Sequence, residues 1–338
     1  MPNRLWILAL MIVVIMLAGC AKRNTAYQEE EWLSLEKQIP VVGDPLDISF
    51  DDGYIYVALD QGGISTIRRD NYHAKWYTHI KAADGSTYNM LRIKRVDAVN
   101  EQNKLFANEF GDTHKFIILK TDQPDTLLWE GITIGNTRNI TDMNFDTISE
   151  TGTNYTIEGG YCAGGSVYFS HYNDELGLVN EYNITTSAEP TGLFIKGNYM
   201  YVAVQQRGLA IYNRTTQQLE KELPLPGSAL KVTILGDYAF VASRQGGLNI
   251  VNVANPATPV LVGSYATSNF TTAVDATTGK AAICSGSGGV YLFNISNPNQ
   301  PVLLERLTSC GYANAVKFMN GKLIVAARDQ GVLVYNIK

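Results

Sequence analysis

Gly236-Asp-Tyr-Ala-Phe-Val-Ala-Ser-Arg-Gln-Gly-Gly-Leu248 is the stretch that decides the fold. A Gly-Asp turn leads into a short alternating run rich in aromatic and branched residues, and a Gly-Gly turn ends it. That pattern predicts an antiparallel strand between two tight turns. Working outward, Ala229 to Leu235 reads as the strand before it. Leu248 to Val253 reads as the strand after it, and Val260 to Thr267 as a fourth beyond Asn255-Pro-Ala-Thr-Pro259.

The stretch recurs. Gly53-Tyr-Ile-Tyr-Val-Ala-Leu-Asp-Gln-Gly-Gly-Ile64 and Gly197-Asn-Tyr-Met-Tyr-Val-Ala-Val-Gln-Gln-Arg-Gly-Leu209 are near copies. Gly279-Lys-Ala-Ala-Ile-Cys284 and Gly321-Lys-Leu-Ile-Val-Ala-Ala-Arg-Asp-Gln-Gly-Val332 follow, with weaker copies at Lys104 and at Gly165-Ser-Val-Tyr-Phe-Ser170. The starts fall at 53, 104, 165, 197, 236, 279 and 321, and the last three intervals are 39, 43 and 42 residues. Four strands repeated about every 40 residues predict an all-β, seven-bladed β-propeller, because a lone four-stranded sheet buries neither face and must stack against copies of itself. The chain ends one strand short, at Tyr335-Asn-Ile-Lys338, while residues 32–42 form a spare strand-like run. Pairing the two would close the ring and hide two sheet edges.

The segments Gly247 to Tyr265 and Gly289 to Val302, each an apolar strand followed by Asn-Pro-x-x-Pro-Val, are similar to the LVIVD repeat. The resemblance is good over 190–338 and 44–68 and poor over 92–184. It implies an exported or surface propeller and supplies no catalytic residue. Where the family usually has Asp after the third strand, this chain has Asn252, Asn294 and Asn336.

The start of the chain carries an address. Arg4, an uncharged apolar run from Leu5 to Leu17, and Leu17-Ala-Gly-Cys20 describe a signal peptide over residues 1–19. The ending resembles the lipobox of bacterial lipoproteins, which implies that Cys20 is acylated and becomes the mature N-terminus. An incidental cysteine after a plain signal peptide is the alternative. Acyl chains hold a protein at a membrane through buried CH₂ groups. Residues 20–31 read as a polar tether and 32–338 as the propeller domain. Ala21 favours the outer membrane under the family sorting rule, so the expected location is the cell envelope, facing the periplasm or the outside.

The chain has 27 basic and 32 acidic residues, a formal charge of −5. That mild acidity weighs against nucleic acid as a partner. No cofactor motif appears.

In a propeller, the loops joining second to third strands and fourth strands to the next blade share one face, here named the top. The repeat places Asp60, Glu109, Asp112, His114, His171, Asp174 and Glu175 there from blades one to three, and Arg207, Arg244, Arg328 and Asp329 from blades four, five and seven. An acidic half and a basic half would suit a protein or polysaccharide partner, and the same residues are compatible with ordinary solvated turns. Glu109-Phe-Gly-Asp112-Thr-His114 brings carboxylates and an imidazole together. It lacks two further ligands and the spacing of a calcium loop, so no metal is expected. The main reading is a non-catalytic binding or scaffold lipoprotein; the alternative is a glycoside-acting enzyme using two top-face carboxylates. The 61-residue interval before blade three puts an excess near residues 136–155, read as a recognition loop or a disordered insertion. A Cys284–Cys310 disulfide is expected between blades six and seven, with Cys162 a buried thiol on an inner strand.

Overall fold

The computed structural model describes residues 31–338 except 83, 112–114, 123–126, 135–139 and 148–154, and only the backbone of 129–134. Cys20, the signal peptide and most of the tether lie outside them. Among the described residues no helix is long and apolar enough to cross a membrane.

Seven sheets, antiparallel apart from one pairing in blade two, account for the strands of Leu33–Ile337. Blade five shows the unit: Ala229–Leu235 innermost, then Tyr238–Ser243, Gly247–Asn252 and Val260–Tyr265 at the outer edge. The inner strands of successive blades meet pairwise round the ring, and the last, Ala313–Met319, returns to the first, Asp47–Phe50. The core is divided between blades. One cluster joins Ile55, Val57 and Ile67 of blade one to Ile324, Val332 and Val334 of blade seven; another joins Val241 and Val251 of blade five to Leu209 and Ile211 of blade four. Second and third strands are covered on both faces and read as near-continuous apolar runs, whereas fourth strands alternate.

Ring closure is as expected. Leu33–Ile39 pairs antiparallel with Gly331–Ile337, Leu33 opposite Ile337 and Ile39 opposite Val332, so the first strand serves as the fourth strand of blade seven. One glycine marks the equivalence. Gly63, Gly208, Gly247, Gly289 and Gly331 each end a second-to-third turn at φ between 71° and 86°. A Cβ there would strike the carbonyl that ends the same blade's fourth strand: Tyr77 at 2.1 Å, Tyr265 at 2.1 Å, and for Gly331 the Ile39 carbonyl at 2.3 Å. The left-handed backbone and the collision both require glycine.

Two parts of the ring differ from expectation. His79–Ala82 and Thr87–Asn89 form a hairpin after blade one, and Lys81–Ala82 adds in parallel to Leu128–Trp129, so blade two's sheet has six strands. In blade three the inner strand is Ile140–Thr147, inside the stretch read as a loop, and Ile157–Ala163 is second. Ser166–Asn173 is therefore the third strand, not the second. Gly164 and Gly165, both at positive φ, make the turn that imitated the start of a repeat. Residues 136–139 and 148–154 of the expected insertion lie outside the described residues.

Candidate functional site

Re-registering blade three moves three of the sequence-derived candidates. Asp174 and Glu175 follow a third strand and so sit on the face opposite the top, where Asp174 pairs with Lys104 at 2.9 Å. His171, at the same end, contacts Glu181 at 3.1 Å. Asp112 and His114 lie outside the described residues. On the top, Asp60 takes a two-pronged contact from Arg92 (2.9 and 3.1 Å). Glu109 is buried; it accepts from the Leu91 amide at 2.5 Å and from the Tyr88 hydroxyl, and so pins the extra hairpin to blade two. Arg207 pairs with Glu222 at 2.5 Å. Arg244 lies over Phe270 at 5.6 Å and Arg328 over Tyr312 at 4.1 Å; Asp329 is exposed beside it. Among the described residues, the acidic candidates of blades one to three are thus committed to local contacts or turned away, Arg207 is paired, and Arg244 and Arg328 rest on aromatic rings.

The strand registers bring together a second group of residues. Position by position, the inner strands align Asp47, Arg95, Asp142, Gly192, Lys231, Ala273 and Ala315 in one ring about the axis. Two residues further along, Ser49, Asp97, Asn144, Phe194, Thr233, Asp275 and Lys317 form a second. Inner strands of all seven blades line the central cavity, of about 90 Å³. An inner strand is an edge strand, with amides that no neighbouring strand can satisfy. Here the ring side chains satisfy them by one rule: each accepts the amide of the residue just after its counterpart in the next blade. Asp47 takes Val96 (3.3 Å), Ser49 takes Ala98 (3.0 Å), Asp97 takes Phe145 (2.7 Å), Asp142 takes Leu193 (2.9 Å), Asn144 takes Ile195 (2.8 Å) and Asp275 takes Phe318 (2.8 Å). These six side chains are hooks between blades. At Gly192 a Cβ would come within 2.7 Å of the Leu230 carbonyl and of Lys231 Cα, so the two inner strands close up there without a hook.

Packing four carboxylates round one axis has an electrostatic cost, and two lysines offset part of it. Lys231 binds Asp142, and Lys317 lies 3.7 Å from Asp275. The Asp275 carboxylate beside Lys317 raises that ammonium's pKa further. Burial pushes Asp275 up, and pushes Asp97 up to about 7 despite the Phe145 amide and Lys317, which act the other way. No group of three or more His, Cys, Asp or Glu among the described residues is placed to hold a metal ion.

Sequence reasoning missed these rings because a polar residue inside a strand looks like ordinary outward alternation. The signal was present in Asp97 of Ile93–Val99, Thr233 of Ala229–Leu235, Asp275 of Ala273–Thr277 and Lys317 of Ala313–Met319, a polar residue at the matching place in each inner strand. The expected Cys284–Cys310 bridge is not formed. Both are buried free thiols; Cys310 raises the Cys284 pKa through its charge, and Cys310 Sγ is turned onto the Leu307 carbonyl at 3.3 Å. Cys162 is also a buried free thiol, but on the second strand of blade three rather than the inner one.

Above the channel, toward the top, a larger cavity of about 390 Å³ opens between blades two and six. Lys231 lines both spaces.

The fold agrees with solved structures. The chain superposes on the β-propeller domain of Myceliophteria thermophila Cps50 (Swd1) with a TM-score of 0.70 at 10% identity, covering 90% of this chain and 100% of that one. The WD40 β-propeller domain of Doa1 gives 0.66 at 14% identity, covering 90% and 97%. The computationally designed Ika8 protein gives 0.60 at 11%, covering 89% and 98%. No curated protein matches the chain. The model of the LVIVD repeat matches residues 191–212 and 226–267, which span blade four's first three strands and the whole of blade five. The chain is a seven-bladed β-propeller whose fourth and fifth blades match the model of the LVIVD repeat.

Proposed function

We propose that this protein is a lipoprotein of the bacterial cell envelope, anchored through Cys20, whose propeller binds a protein or polysaccharide partner by its top face without catalysing a reaction. The observation that carries this reading is the composition of the top. Arg244 and Arg328 lie flat over Phe270 and Tyr312, and Phe270 is 59% exposed, with Leu91 at 62% and Val42 at 60% on neighbouring top loops. Arginine, aromatic rings and isolated large apolar groups are what binding hot spots are made of. Two of the top-face carboxylates are occupied, Asp60 by Arg92 and Glu109 by Tyr88 and the Leu91 amide, so these two are not a free pair for acid–base work on a glycoside.

The test is capture of partners from an envelope extract by the full chain, comparing wild type with the protein in which Arg207, Arg244 and Arg328 are all changed to Ala. Loss of the captured partners is expected; an unchanged set would end the top-face reading. For the anchor, Cys20→Ser should abolish incorporation of an alkyne-tagged palmitate in growing cells. Undiminished incorporation would remove Cys20 as the lipid site.

A further inference from the structure

We propose that the cavity at the top mouth of the channel is a pocket for an oxyanion: a carboxylate or phosphate group presented by the bound partner or by a free small molecule. This deepens the top-face reading above, and rests on it, by naming the chemistry that enters the channel mouth.

The pocket is lined by Lys94, Arg95, Thr141, Thr191, Lys231 and Thr272, drawn from five consecutive blades, with Phe110 at its side. No carboxylate lines it. Of the three cations, Lys231 is committed to Asp142 below. The other two have no acidic partner among the described residues. Arg95 donates only to backbone carbonyls, from Nε to Thr141 at 2.8 Å and from Nη1 to Lys94 at 3.5 Å. Those contacts fix the plane of the guanidinium and leave Nη2 without a hydrogen bond to the described residues. Lys94 Nζ rests over the Phe110 ring at 4.8 Å and forms no ion pair. Elsewhere in the channel both lysines are paired with carboxylates, Lys231 with Asp142 and Lys317 with Asp275. Lys94 and Arg95, facing one cavity without an acidic partner among the described residues, are the exception, and the Nη2 group of a guanidinium already held through Nε and Nη1 can donate to a carboxylate or phosphate oxygen.

The hydroxyls give an independent indication. Thr141 donates to the Pro190 carbonyl at 2.7 Å, and Thr191 to that of Ala229 at 3.0 Å. Thr272, which lines the same pocket, has a buried Oγ1 with no partner. The two cations on the blade-two side and Thr272 on the blade-six side line one space large enough for a sugar acid or a phosphorylated group.

The experiment is titration calorimetry of the full chain in detergent at low ionic strength, with inorganic phosphate, D-glucuronate and D-glucose as separate probes. At least one anion should bind with a stoichiometry of one, and glucose should not; which anion gives heat separates a phosphate from a carboxylate pocket. Affinity should fall tenfold or more in Arg95→Gln and measurably in Lys94→Gln, and stay unchanged in Lys221→Gln, an exposed residue on the outer strand of blade four that does not line the pocket. Lys94→Gln guards against misfolding, since the Lys94 head touches only a ring. No anion binding, or equal binding in both pocket variants, overturns the proposal. Anion binding that survives in the Arg207/Arg244/Arg328→Ala protein supports the pocket even where that protein has lost its partners. Absent anion binding alongside intact partner capture overturns the pocket alone.

Discussion

Asp97 Oδ2 accepts the Phe145 amide at 2.7 Å across the boundary between blades two and three, from a place where burial keeps its carboxyl protonated up to about pH 7. One residue thus joins two blades and resists ionisation while doing so. Its pKa is raised in the fold from 3.8, so between those values the folded state holds a proton that the unfolded chain has released. Stability contributed at this site therefore falls as pH rises from about 4 to about 7 and is level above. Asp97→Asn keeps the acceptor, as Asn144 does for Ile195. The variant should match wild type in thermal melts near pH 4 and exceed it increasingly toward pH 7, by no more than about 4 kcal/mol. A constant offset between the two melting curves at all pH values would contradict the assignment.

Asp142 carries two loads, the Leu193 amide and the Lys231 ammonium. Asp142→Ala leaves both unmet in a confined space and should cost about 3–5 kcal/mol in urea unfolding. Asp142→Asn retains the amide contact and strands only Lys231, so its loss should be smaller. Equal losses would show that the hook to blade four contributes nothing.

The closing strand is tested at Ile39, which is 2% exposed and packs with Ile55, Val332 and Val334. If the ring depends on it, Ile39→Ala costs about 2–5 kcal/mol, in the range for an interior residue and comparable with Ile55→Ala. A frayed terminal segment would show almost no change in the same unfolding curve.

Glu109 ties the hairpin of blade two through Leu91 and Tyr88. Glu109→Ala should open that hairpin and make the bond after Lys81 a preferred early site in limited trypsin digestion, as read by mass spectrometry. Cleavage kinetics identical to wild type would argue that Glu109 does not hold the segment.

Cys162, Cys284 and Cys310 are buried with their pKa values raised by burial, so none offers a thiolate at neutral pH. Maleimide should label none of them in the native protein and all three after unreduced denaturation. Only one labelled propeller cysteine in the denatured sample would restore the Cys284–Cys310 bridge.

The ring was legible because turn chemistry is local. In five blades the glycine that closes the second-to-third turn is demanded by a carbonyl of its own blade, so it recurs in sequence with those blades. Blade three was misread for the same reason: Gly164-Gly165 supplied the expected turn one strand late, and Ile140–Thr147 hid among Asn, Thr and Asp because its channel side is polar. That single slip carried Asp174 and Glu175 to the wrong face. The channel rings depend on alignment across blades 40 to 50 residues apart, and Arg95 shows the difficulty. Its neighbours Lys94 and Val96 look no different from it in sequence, and only the register puts it level with Asp142 and Lys231.

All six hooks reach the same way round, from a blade to its successor, so the ring has a direction as a ratchet does. No side chain reaches across in this way from blade four to blade five among the described residues, where Gly192 lets the strands close up instead. A chain rejoined at its natural ends and cut between those two blades would keep every one of the six contacts, with only their order along the polypeptide changed. Removing blade six would instead set Lys231 and Thr233 against amides that Asp275 was shaped to meet, and the shortened circle would carry a fault at that seam.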